Sequence, residues 1–157
     1  MTSVRIDYLA DHLELAPLLA QWHYREWAAL MPEWSLPQAL ADLQSHTERR
    51  RIPTTFIALD GDQLVGSASL LVADLAGWEH LSPWLASVYV VAQRRGLGIG
   101  RQLVRRAVEE ARALAVPVLY LFTAGQQGYY ERLGWEALER VRSHQSEVVI
   151  MQQRMAR

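Results

Sequence analysis

The chain lacks cysteine entirely, and with it disulfides, thiolate nucleophiles and cysteine-based metal sites. No apolar run is long enough to span a bilayer. The opening MTSVRIDYLADHLE carries acidic and polar residues where a signal peptide needs an apolar core, so a cytoplasmic protein is expected. An excess of one charge is missing too. With a formal net charge of -1, no global field draws the chain to nucleic acid or to an anionic membrane. Repeats, low-complexity segments and linkers are absent. What remains is 157 residues, 50% hydrophobic and 21% charged, which reads as one globular domain large enough to bury a core.

The basic residues gather locally. Residues 88–101, VYVVAQRRGLGIGR, place an apolar run before three alternating glycines, Gly96, Gly98 and Gly100, and an amphipathic helical pattern follows. Glycines let the backbone turn and approach a ligand, and the helix start offers unpaired N–H groups and the positive end of its dipole. A pyrophosphate suits such a turn, with Arg94, Arg95 and Arg101 around it. The dinucleotide fingerprint fails on spacing, because Arg101 or Leu103 stands where its third glycine belongs, and no acidic residue follows at the distance needed to hold a ribose. A Walker loop fails as well, since no Gly-Lys-Ser or Gly-Lys-Thr is present.

Periodicity orders the rest. Val4, Ile6 and Tyr8 alternate, predicting a strand over residues 3–8. Asp11 with Glu14 reads as a capping box for a helix over 12–30, and Ser35 with Gln38 as a second, with Pro37 in the first turn of a helix running to about Arg50. Residues 54–60 and 63–73 form a hairpin across Asp60-Gly61-Asp62, and 85–92 is strand-like. The helix over 100–115 buries a stripe from Leu103 to Ala115 and leaves Arg105, Arg106, Glu109, Glu110 and Arg112 outside, with Pro117 as its stop. A strand over 118–122, a short helix over 127–133 closed by Gly134, and strands over 135–141 and 147–153 complete the order β α α β β β α β α β β, an α/β (α+β) chain with a mixed sheet.

Read as R-x-x-G-x-G, residues Arg95, Gly98 and Gly100 resemble the GNAT superfamily of acetyl-coenzyme A dependent N-acetyltransferases. Downstream, Tyr129-Tyr130-Glu131-Arg132-Leu133-Gly134-Trp135 is similar to a second segment of that family. The resemblance implies the GNAT fold over residues 1–157, with strands that splay apart at a bulge, and acetyl-CoA as co-substrate. It implies that the loop of Arg95, Gly96, Leu97, Gly98, Ile99, Gly100 and Arg101 holds the pyrophosphate. Val90 pairs with pantetheine, the Val88 N–H stabilises the oxyanion, and Tyr130 protonates the departing thiolate. Thr123 stands where the family often has a pantetheine-contacting asparagine. Tyr129, one position off, is a packing residue on this reading.

The implied activity is N-acetyl transfer to a primary amine of a small molecule or peptide, with no nucleic acid, membrane or metal involved and a homodimer left open. The family's strand glutamate is replaced by Trp84, so a base comes from Glu26, Glu33, Asp74, Glu79 or His80 or through water. Five of six tryptophans lie in the first helices or the loop before the glycine strand, where the family walls its acceptor site. Trp27, Glu33, Trp78, Glu79, His80 and Trp84 are the expected acceptor residues, through cation–π and ion-pair contacts. A module that binds acyl-CoA without turnover is the alternative, and an arginine-rich nucleic-acid binder is disfavoured by the interspersed glutamates.

Overall fold

Alternation along Thr54–Asp60 decides how the layers stack. Phe56 and Ala58 point to one face of the sheet, where they meet Leu103, Ala107 and Ala111; Ile57 and Leu59 point to the other, where they meet Leu19, Ala20 and Leu43. The computed structural model describes residues 3–143 and 146–155. In chain order its elements are β1 (Arg5–Tyr8), α1 (Ala16–Trp27), α2 (Leu36–Gln44), β2 (Thr54–Asp60), β3 (Gln63–Leu71), β4 (Trp84–Val90), α3 (Ile99–Ala113), β5 (Val118–Thr123), α4 (Gln127–Arg132), β6 (Glu136–Ser143) and β7 (Ser146–Arg154). The seven strands form one sheet in the order β1-β2-β3-β4-β5-β7-β6. Every pairing is antiparallel except β4 with β5, whose crossover runs through α3. The expected element order and mixed sheet are present.

Several boundaries differ from the sequence reading. The first helix begins at Ala16, preceded by 3₁₀ turns at Leu9–Asp11 and Leu13–Leu15, because Pro17 cannot sit inside a helix started at residue 12. Asp11 caps nothing there and instead accepts from Arg49. The Ser35–Gln38 capping box is present in both directions. Its helix stops at Gln44, well short of Arg50, as the Ser45 hydroxyl donates to the Asp42 carbonyl and His46 turns inward to Thr55. α3 ends before Pro117 is reached. Ala115 takes φ 61°, with the Ala115 and Val116 N–H groups bonded to the Arg112 and Ala111 carbonyls.

Glu110, expected on the solvent face, is 1% exposed. Its carboxylate accepts from Tyr8 Oη at 2.7 Å and pairs with Arg106 at 3.0 Å, while the Arg106 guanidinium lies over the Phe56 ring. A charge stays buried here because donors meet both of its oxygens. On the opposite face a polar seam runs beneath α1 and α2. His46 meets Thr55 at 2.7 Å, Thr55 meets Ser69 at 2.7 Å, and His23 meets Ser67 at 2.9 Å. Among the described residues no helix is long and apolar enough to cross a membrane, and no acidic or histidine cluster could hold a metal ion.

Candidate active site

The glycine turn leads straight into α3. Gly96 and Gly98 have φ 81° and 84°, Gly98 is the N-cap of α3, and a Cβ built on either would meet nothing within 4 Å. The backbone is therefore bare and open where the helix presents its first N–H groups, which suits an anion. Gly100 is different. Its backbone is helical, and a Cβ there would lie 3.2 Å from Tyr129 Oη, so its small size makes room for a tyrosine. The three arginines divide. Arg94 bonds Asp60 at 2.7 Å and is neutralised by the β2–β3 hairpin; Arg95 donates to the Val90 carbonyl at 2.8 Å with its guanidinium over the Tyr89 ring; Arg101 is exposed. Leu97 is exposed at the tip of the turn, and Ile99 drops into the core.

Upstream of the turn the sheet opens. Trp84↔Tyr120 is the one parallel pair between β4 and β5 among the described residues, and beyond it β4 has no partner on that side. Against β3 the register shifts between Ser67 and Ser69, so that Ala68 faces both Ser87 and Val88, and Ser87 takes φ 54°. This is a β-bulge whose left-handed residue is a serine rather than glycine. The Tyr89 carbonyl comes so close to β3 that a Cβ on Gly66 would lie 2.7 Å from it. Val88 and Val90, both half-buried, thus stand on a strand edge facing a gap.

The second tyrosine of the downstream segment borders the same core. Gly134 takes φ 97°, and the Trp135 N–H bonds the Tyr130 carbonyl, so the cap that ends α4 also fixes the Tyr130 backbone. The ring packs edge-on against Tyr129 and Trp135, and burial pushes its phenol up to about 12. Thr123 Oγ1 accepts the Gln126 N–H at the start of α4, which occupies one face of that hydroxyl.

The expected acceptor residues separate. Trp84 is fully buried, donates its indole N–H to the Leu81 carbonyl at 2.6 Å and packs on Tyr120 and Phe122, so it belongs to the core. Glu26 and Glu33 are exposed. Glu79 accepts the Gly77 N–H, and these backbone bonds hold its carboxyl below the usual range, which makes it a weaker base. Trp78 stacks on His80 at 5.5 Å. Trp27 joins Trp22, His23 and Tyr89 in a half-buried aromatic cluster between α1 and β4.

A cavity of about 440 Å³ lies between the α1–α2 connection, α2 and the β3–β4 loop, lined by Met31, Asp42, His46, Pro53, residues 71–76 and Glu79. Asp74 is half-buried on its wall, and desolvation there pushes the carboxyl up to about 7. No signal in the sequence ranks Asp74 above the other acids. Its loop position says nothing of burial.

Asp74 and His23 make opposite contributions to acid stability. Burial holds His23 at about 4 against the usual 6.5, so the unfolded chain binds that proton more readily. The resulting stability is whole above pH 6.5 and is lost as pH falls towards 4, about 3 kcal/mol in all. His46 shifts in the same direction. Asp74, raised from 3.8, works the other way, and the fold gains as pH falls from 7 towards 3.8. Urea unfolding is therefore expected to give wild-type stability that changes little between pH 6.5 and 4.5, whereas Asp74→Asn, without the opposing contribution, loses about 2 kcal/mol over that window. Parallel curves for the two proteins would show that Asp74 is not buried as described.

A bare glycine turn on a helix start, reached from a strand left unpaired on one side, suits a long phosphorylated ligand. The family model for the Acetyltransferase (GNAT) family matches residues 18–135, and the chain belongs to that family. It is an acetyltransferase with acetyl-CoA as co-substrate. Its fold is similar to that of an aminoglycoside 6'-N-acetyltransferase complexed with coenzyme A (TM-score 0.76, 16% identity, 98% of each chain covered). It also resembles yncA from Salmonella typhimurium with acetyl-CoA (TM-score 0.71, 17% identity, 98% of this chain and 94% of the other). A spermidine N-acetyltransferase chimera of Vibrio cholerae SpeG and hSSAT gives a TM-score of 0.68 at 17% identity, with 97% and 95% covered. Among curated proteins none matches at a significant level.

Proposed function

We propose that the protein transfers acetyl from acetyl-CoA to a primary amine of an acceptor carrying a second ammonium group. The observation that carries this reading is the acidic cavity of Asp42, Asp74 and Glu79 at the β3–β4 loop, the loop that leads into the strand ending at the glycine turn. Turn residues 95–101 take the pyrophosphate through backbone N–H groups, and Val90 takes the pantetheine on the strand edge left free by β5. The Val88 N–H donates to the oxygen of the thioester carbonyl as negative charge develops there. The amine attacks that carbon directly, the C–S bond breaks, and the ammonium proton is passed to the departing sulfur.

At about 12, the Tyr130 phenol remains protonated throughout the neutral range. A free thiol near 8.5 lies about 3.5 units below it, so full transfer from tyrosine to thiolate is uphill by about 5 kcal/mol. Tyr130 therefore serves first as a hydrogen-bond donor to the sulfur. Delivery of a neutral amine costs 4 to 5 kcal/mol from a lysine-like ammonium at pH 7, roughly the work a base would assist. Asp74 is not placed for that. Leu71 pairs with Trp84, four residues before Val88, which puts the cavity about 13 Å back along the strand. It fits an anchor for a distant ammonium, and the fold's likeness to aminoglycoside and spermidine acetyltransferases supports that class.

Thiol release with acetyl-CoA across monoamines, polyamines, aminoglycosides and short peptides tests the reading. Turnover with polyamines or aminoglycosides and little with monoamines is expected, and Asp74→Asn should raise KM for the polycations about tenfold with kcat less affected. Because Asp74 ionises around pH 7, the wild-type KM should fall as pH rises through that value. Binding of acetyl-CoA without thiol release on any amine would establish the sensor instead.

A further inference from the structure

One chain of buried hydrogen bonds ends on the backbone of β4 at the bulge. Ser87 is held at φ 54°, a conformation that glycine favours and serine does not. Its carbonyl accepts the Ser67 hydroxyl at 2.9 Å. Ser67 Oγ lies 2.9 Å from His23 Nε2 on α1. Since the Ser67 hydrogen is committed to Ser87, the ring nitrogen donates, which fixes His23 as its Nε2–H tautomer. Ser67 is 0% and His23 3% exposed, so neither side chain reaches bulk solvent. Burial also keeps the His23 ring uncharged at neutral pH, and the donor is constant through the working range.

We propose that His23 and Ser67 are positioning residues which, acting through the Ser87 carbonyl, hold the β4 bulge in the conformation that aims the Val88 N–H into the β4–β5 gap. This rests on the reading of Val88 as the oxyanion donor. Val88 is the residue directly after Ser87, and a change in the Ser87 backbone rotates the amide that joins them. A serine left to its own preferences would return to extended backbone and realign the strand. The tether from α1 supplies what glycine would supply by itself, and Gly66 leaves the space that the neighbouring Tyr89 carbonyl needs.

The decisive experiment compares Ser67→Ala with the double variant Ser67→Ala/Ser87→Gly. The single variant is expected to lower kcat about tenfold while KM for the amine and Kd for acetyl-CoA stay within about threefold. Glycine at position 87 adopts the left-handed conformation unaided, so the double variant should regain kcat to within about threefold of wild type. Its Tm should remain below wild type, because the buried bonds are still missing, and this separates aim from stability. An unchanged kcat in Ser67→Ala, a loss of acetyl-CoA affinity matching the loss of kcat, or no recovery in the double variant would overturn the proposal.

Wild-type turnover tests the reading of the reaction alone. Amide hydrogen exchange reads the brace without turnover. The Ala86 and Tyr89 amides, on the residues paired with β3 on either side of the bulge, should exchange at least about tenfold faster in Ser67→Ala with α3 unchanged, and equal protection would overturn the brace even in an active enzyme.

Discussion

Gly98→Glu is expected to weaken acetyl-CoA binding by a factor of about a hundred or more. The new side chain would meet no protein atom, so the fold has room for it. The left-handed backbone at φ 84° costs a residue with a Cβ about 1 to 2 kcal/mol. The larger effect is electrostatic: a carboxylate about 4 Å from a phosphate repels it by several kcal/mol near a protein surface, and a tenfold change in affinity needs only about 1.4 kcal/mol. Gly98→Ala carries the backbone cost without the charge and should fall between the two. Calorimetric titration with acetyl-CoA measures all three proteins. Equal affinity in wild type and Gly98→Glu would remove the pyrophosphate from this turn.

Tyr130→Phe should lower turnover about a hundredfold and leave acetyl-CoA affinity within a few-fold. The substitution removes one oxygen from a ring whose packing on Tyr129 and Trp135 is retained, so stability should change little. With the phenol at about 12, no alkaline fall in kcat below pH 10 should be traceable to Tyr130. Tyr129→Phe is the comparison, since the Tyr129 hydroxyl faces Gly100 on α3, and it should cost far less. An unchanged rate in Tyr130→Phe, measured where chemistry is limiting, would make that residue a packing side chain.

The parts of this architecture that could be read from the sequence are those encoded by neighbours in the chain. The stripe on α3 as far as Ala111, the β2–β3 hairpin, the Ser35 capping box and the Gly134 cap each depend on residues within a few positions of one another and are present, with α3 and β3 each ending two residues short of the expected bounds. What escaped depends on partners far away. Glu110 looks solvent-facing on a helical wheel until Tyr8, 102 residues earlier, is placed beside it. Trp84 looks available in a loop sequence, and becomes core only when β5 brings Tyr120 and Phe122 against it. Asp74 is one acid among several in the sequence, because its desolvation comes from α2 and the β3–β4 loop meeting around it. The bulge itself was anticipated from family likeness. Ser87, which forms it, Ser67, which bonds its carbonyl, and His23 behind Ser67 lie on three different elements and leave no local pattern.

The single parallel rung between β4 and β5 makes a seam through the middle of the molecule. On one side lie β1 to β4, and on the other β5, β7 and β6, joined by the α3 crossover and by the core that α3 covers. On the proposed reading, a pantetheine arm laid along that seam would act as a surrogate strand, satisfying backbone groups that no part of the polypeptide reaches. Acetyl-CoA would then be a ligand of the folded state alone, and its free concentration would add to the stability of the sheet as well as supply the acetyl group.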